Sequence, residues 1–142
     1  MTCCSPEFKI VHDAEFTYRR KVGPKSDIWG LACTWLEFVT WYLKGEKGVQ
    51  EFSKSRLKRS HPEIKGDEYF RLIDNEKAAT LKPSVIHAME NLRLQENCSP
   101  FLRDLLIYIE GKMLVVDMNK RATALEVSEQ VHKLYDQYYE AK

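Results

Sequence analysis

The chain has 142 residues, 44% hydrophobic and 30% charged, an ordinary globular composition that supports one domain with a real core, over residues 1–142. Lys and Arg number 22 against 21 Asp and Glu, so no overall field draws the chain to nucleic acid or to an anionic membrane. The N-terminal MTCCSPEFKI has neither the basic region nor the apolar region of a signal peptide. The cysteines are Cys3, Cys4, Cys33 and Cys98; none has a metal-ligand spacing with His12, His61, His87 or His132. The adjacent pair does not make a usual disulfide framework, and a reducing, intracellular (cytoplasmic) compartment fits best.

The first strong element is the run PKSDIWGLACTWLEFVTWYL, Pro24 to Leu43, which holds all 3 tryptophans of the chain. It is too short for a membrane span, which needs roughly 20 apolar residues, and Glu37 in its middle adds a further penalty for lipid. Ser26 or Asp27 is a natural N-cap and Gly45 a natural stop. Ile28, Leu31, Trp35, Phe38, Val39 and Tyr42 form one stripe, while Trp29, Cys33, Leu36, Trp41 and Leu43 occupy the other sides. Such a helix is a central one, packed by neighbours on several faces.

Further helices supply those neighbours. Gly48 to Ser60 is a shorter amphipathic segment with Val49, Phe52 and Leu57 among basic residues. Ser60 to Thr80, like the first two dozen residues, reads as loop with short helical turns. Pro83 is well placed to open a helix whose apolar face is Val85, Ile86, Met89 and Leu92. Ser99 and Pro100 open the next, with Leu102, Leu105, Leu106, Ile109 and Met113 at helical spacing. Thr123 and Glu126 match a capping box ahead of the stripe Val127, Val131, Leu134 and Tyr138. The fold class is therefore all-α. Two basic groups, Arg19, Arg20, Lys21 and Lys25 and then Lys54, Arg56, Lys58 and Arg59, lack aromatic interleaving and read as solvated faces. Tyr135, Tyr138 and Tyr139 read as the rim of an amphipathic helix.

Three stretches in this order carry a resemblance: SPE at Ser5 to Glu7, KSDIWGLACTWLEFVTW, and LLIYIEGKMLVVDMNKRATALEV near the end. They resemble the Ala-Pro-Glu end of the activation segment, the start of the central helix F, and the helix H to helix I junction of the eukaryotic serine/threonine protein kinases. The resemblance implies a bundle of helices F to I around helix F, the C-terminal part of a kinase large lobe. It implies a buried ion pair between Glu7 and Arg121, and places Trp29 beneath the segment around Pro6. Asp27 would be the aspartate that accepts backbone N–H groups of the catalytic loop in kinases; without that loop it is a simple N-cap.

The chain departs from the family pattern in places. Ser5 replaces Ala, Gly30 and Ala32 stand for the usual Ser and Gly, and Met118 and Ala122 stand where prolines are common. Cys3 occupies a position that usually holds an aromatic residue beside the peptide substrate. The glycine-rich loop, its paired lysine, the His-Arg-Asp loop and the Asp-Phe-Gly aspartate are not among these residues, and His12-Asp13 is no substitute because it follows the Ala-Pro-Glu position. ATP and magnesium, cofactors of the complete family domain, thus have no expected site here, and the sequence predicts no catalytic, cofactor or metal residue. Two functions follow: an inactive part of a kinase domain, or a stand-alone helical interaction module of the pseudokinase kind. In either case the face of helix F that a complete lobe would cover is expected to be free for a protein partner or for self-association.

Overall fold

A computed structural model of the chain describes residues 4–10, 23–57 and 66–140. Cys3, His12, Asp13, Arg19, Arg20, Lys21, Lys58, Arg59 and His61 lie outside the described residues. A 310 turn at Pro6–Phe8 is followed by α1 (Pro24–Leu57), β1 (Phe70–Ile73), β2 (Ala78–Leu81), α2 (Pro83–Arg93) and α3 (Pro100–Tyr108). A π-helical turn at Ile109–Met113 extends α3, and α4 (Ala124–Tyr139) closes the order.

Helix α1 begins at Pro24, earlier than the cap expected at Ser26 or Asp27, because proline has no N–H to satisfy and its fixed φ suits the first helical position. Asp27 falls inside the first turn, where a carboxylate favours the positive end of the helix dipole. Gly45, at φ 74° and ψ −172°, breaks α1 into two arms, since this backbone conformation is costly for any residue with a Cβ. The first arm buries Ile28, Trp29, Ala32, Cys33, Leu36, Val39 and Leu43; the second buries Phe52 and, unexpectedly, Arg56.

The core forms where α2, the π-helical turn and α4 pack against α1. Val85, Met89 and Leu92 of α2 join Leu106, Ile109 and Met113 beneath it. Ser99 caps α3 by accepting from the Leu102 N–H at 3.2 Å. Thr123 caps α4 by accepting from the Glu126 N–H at 3.2 Å, while its hydroxyl donates to the Glu126 carboxylate at 3.1 Å. Val127 and Leu134 are buried on α4, with Val131 and Tyr138 half-buried. The Tyr138 hydroxyl donates to Asp104, and Tyr135 and Tyr139 stay exposed.

The all-helical expectation fails between Tyr69 and Leu81. β1 and β2 form an antiparallel hairpin in which Phe70 faces Leu81 and Ile73 faces Ala78. Its tip runs through Asp74, Asn75 and Glu76, all at positive φ; Asp and Asn are the non-glycine residues that best tolerate this conformation. Tyr69 and Phe70 anchor the hairpin on α1: Phe70 meets Trp29 edge-on at 6.1 Å, and Tyr69 does the same to Phe52 at 5.5 Å. The molecule is mostly helical, with this one small sheet among the described residues.

The surroundings of α1 are one-sided. The helix is not enclosed on all sides: Phe38, Trp41 and Tyr42 are 62%, 54% and 63% exposed, so the core takes one side of it and leaves the other open. Among the described residues no helix is long and apolar enough to cross a membrane. Cys98 is a free thiol, whereas Cys33 is disulfide-bonded, contrary to the expectation drawn from cysteine spacing.

Candidate functional site

The most organised polar group in the molecule lies where the 310 turn, the start of α1 and the loop before α4 converge. Ser5 is extended, Pro6 sits at the first helical position of the turn, and Pro6 and Glu7 are both buried. The turn points the Glu7 carboxylate at Arg121, 114 residues further along the chain. Arg121 Nη2 donates to Glu7 Oε1 at 2.6 Å and Nη1 to Glu7 Oε2 at 3.0 Å, the two-pronged geometry that a planar guanidinium makes with a carboxylate.

The remaining donors of Arg121 are used as well. Nε donates to the Val115 carbonyl at 2.8 Å, Nη1 also to the Lys25 carbonyl at 2.8 Å, and Nη2 to the Val116 carbonyl at 3.3 Å. Lys25 returns the contact by donating its ammonium to the carbonyls of Met118 and Arg121. The Ser26 hydroxyl donates to Glu7 Oε2 at 3.1 Å. Trp29, fully buried, lies with its ring 5.2 Å from the Arg121 guanidinium carbon, within cation–π range. Three segments distant in sequence are therefore held by one arginine.

Burial alone would raise the Glu7 pKa, but the Arg121 hydrogen bonds and positive charge outweigh it and hold the carboxyl below the ordinary glutamate value. A lowered folded-state pKa means that the pair stabilises the fold above the unfolded-state pKa and loses that contribution as pH falls through the folded-state value. Acid titration followed by circular dichroism should therefore show destabilisation on descending through and below pH 4.5, the unperturbed glutamate value. A Glu7→Gln variant is expected to start less stable at neutral pH and to lose less on acidification; parallel acid profiles for parent and variant would contradict this.

Of the four residues singled out in the sequence, Glu7, Arg121 and Trp29 meet in this cluster. Asp27 does not: it is exposed, and its carboxylate has no partner among the described residues. Chemically, the cluster is a clasp. Its one carboxylate is held by arginine and serine, and its cations are engaged by backbone carbonyls, so the arrangement ties segments together.

A second buried cation was not legible in the sequence. Arg56, read there as part of a solvated basic face, is 2% exposed, and its guanidinium lies against the rings of Phe52 at 4.2 Å and Tyr69 at 4.7 Å. Its Nε donates to the Asp67 carbonyl at 2.8 Å, and Nη2 lies 3.6 Å from Glu37 and 3.7 Å from Asp67. Lys82 donates to the carbonyls of Arg56 and Gly66, and its burial lowers its pKa. The spacing of Phe52 and Arg56, four apart on one helix face, was the available signal.

One other place could hold a ligand. A groove of about 240 Å³ between the second arm of α1 and α2 is floored by Phe52 and Leu92 and walled by Lys44, Glu51, Ser84 and His87. It is smaller than the ~300–1,000 Å³ usual for small-molecule sites. Among the described residues no three His, Cys, Asp or Glu side chains are grouped as metal ligands. Comparison with family models, with curated proteins and with solved structures finds no match to this chain.

Proposed function

We propose that these 142 residues are the scaffold half of a protein kinase large lobe, from the end of the activation segment to the last helix. The observation that carries this reading is the two-pronged Glu7–Arg121 pair, which ties a Ser-Pro-Glu turn to the loop before the final helix across 114 residues. It is supported by the position of Trp29 under the Arg121 guanidinium and by the apolar α1 on which the other helices pack. The role is architectural: the clasp fixes the exit of the activation segment against the central helix.

The family's activity is ATP-dependent phosphorylation of serine and threonine in proteins, and it depends on groups that position the phosphates and magnesium. The motifs that carry those groups in the family are not among these residues. No phosphoryl-transfer step is therefore assigned to these residues. Purified chain incubated with labelled ATP, magnesium and generic protein substrates is expected to incorporate no more phosphate than a heat-killed control. Incorporation above that control would overturn the inactive reading. The transcript preceding the Met1 codon tests the lobe reading directly: in-frame His-Arg-Asp and Asp-Phe-Gly motifs would support it.

A second reading, a stand-alone helical module that binds proteins, is favoured by the exposed Phe38, Trp41 and Tyr42 on α1. An in-frame stop shortly before Met1, with abundant stable protein of this length in cells, would select it over the first.

A further inference from the structure

The first arm of α1 carries an apolar stripe away from the core. Phe38, Trp41 and Tyr42 are each more than half exposed, and the Phe38 and Trp41 rings touch at 5.9 Å. Leu31 and Trp35, partly buried and packed against the edge of the core, continue the row towards the helix start with only part of their surface free. Leu31, Trp35, Phe38 and Tyr42 are spaced by four, three and four residues, the seam with which one helix lies along another. Glu37, the one ionisable residue between Leu31 and Tyr42, is turned aside and sits 3.6 Å from Arg56. The stripe is therefore uncharged over its length.

We propose that this stripe is the contact of a homodimer in which α1 packs antiparallel on α1 of a second copy. The spacing selects a second copy. Because four-three-four reads the same in both directions, an antiparallel register sets Leu31 of each chain opposite Tyr42 of the other, and Trp35 opposite Phe38, as a two-fold contact requires. Charge selects it too: an uncharged stripe meets itself with no like-charge repulsion and strands no buried ion.

Area sets the strength. Each aromatic side chain can bury ~150–250 Å². At the observed exposures, the three leave roughly 300–450 Å² of apolar surface per copy, within the size of the largest apolar patch on a typical monomer, a patch that is often functional. That is about half of the ~800 Å² per partner of a standard interface. The flanking helical turns supply the polar rim, so the dimer forms and dissociates with concentration rather than being obligate. The inference stands on exposure, spacing and charge, and concerns these 142 residues on their own, in which this side of α1 is uncovered.

Sedimentation equilibrium of the purified chain is expected to show its mean mass rising from one copy towards two with concentration. Hydrogen exchange on the same chain should slow at Leu31 to Tyr42 as concentration rises. The double variant Phe38→Lys, Tyr42→Lys is expected to weaken association by about tenfold or more. Tyr135→Lys, at an exposed aromatic on α4, should leave association unchanged. A single-copy mass at every concentration, growth beyond two copies, concentration-dependent protection confined to other segments, or a Tyr135→Lys effect equal to that of the double variant would each overturn the proposal. The exchange measurement needs no substitution, so a misfolded double variant leaves the test intact.

Discussion

Replacing Arg121 by Ala is expected to lower stability by about 3–5 kcal/mol, the cost of removing one partner of a buried ion pair. The loss is large because it falls on several groups at once. The Glu7 carboxylate is left buried without its cation, and the carbonyls of Lys25, Val115 and Val116 each lose a donor. A domain of this size holds ~5–15 kcal/mol in total, so the variant loses at least roughly a fifth of its margin and should melt roughly 10–20 °C lower.

Arg121→Lys is expected to recover little. A lysine ammonium is a point charge on a flexible stem and cannot donate along both prongs of the carboxylate while also reaching the carbonyls that the guanidinium serves. By contrast, replacing both members with apolar residues, Glu7→Leu with Arg121→Met, should cost much less than Arg121→Ala alone, since a buried pair can often be exchanged for packing. Urea unfolding of the three variants provides the comparison. An Arg121→Ala loss below about 1 kcal/mol would place the pair among surface ion pairs and remove the architectural role given to it.

The contrast with Arg56 explains why one cation was visible in the sequence and the other was not. Arg121 sits in a stretch whose resemblance to a family supplied the partner, which no spacing rule joins to Glu7 across 114 residues. Arg56 sits in SKSRLKR, where alternating basic residues look solvated, and its burial arises from a hairpin that the sequence did not reveal. That hairpin has strands of four residues each, too short for alternation to stand out. Its register is set by Phe70 and Tyr69 seeking the α1 surface, a tertiary effect.

Helix starts were legible wherever a local device sets them, at Pro83, at Ser99–Pro100 and at Thr123, because caps act within one turn. The break at Gly45 was legible for the same reason. Which side of α1 faces the core was not: both sides are apolar, and the choice rests on where α2, the π-helical turn and α4 pack against it. The exposed side holds Phe38 and Tyr42, which periodicity alone had grouped with buried Ile28 and Val39.

Trp29 is the second position where a large loss is expected, and two substitutions there separate packing from polarity. Trp29→Ala should cost about 3–5 kcal/mol, the usual range for deleting a buried aromatic ring, as the cavity opens between the hairpin, α1 and Arg121. Trp29→Phe should cost distinctly less. It keeps an aromatic edge for Phe70 and a face for the guanidinium, and it removes an indole N–H that is buried with no partner among the described residues. An unsatisfied buried donor carries a penalty of about 1–3 kcal/mol, which offsets part of the volume lost. Because the ring lies 5.2 Å from the guanidinium carbon, the Ala substitutions at Trp29 and Arg121 should not add. The double variant is expected to be more stable than the sum of single losses predicts, by the ~0.5–2 kcal/mol of a cation–π contact plus whatever cavity the two deletions share. Strict additivity in a double-mutant cycle would show that the tryptophan supports the hairpin alone and that the clasp is held by the carboxylate and carbonyls without it.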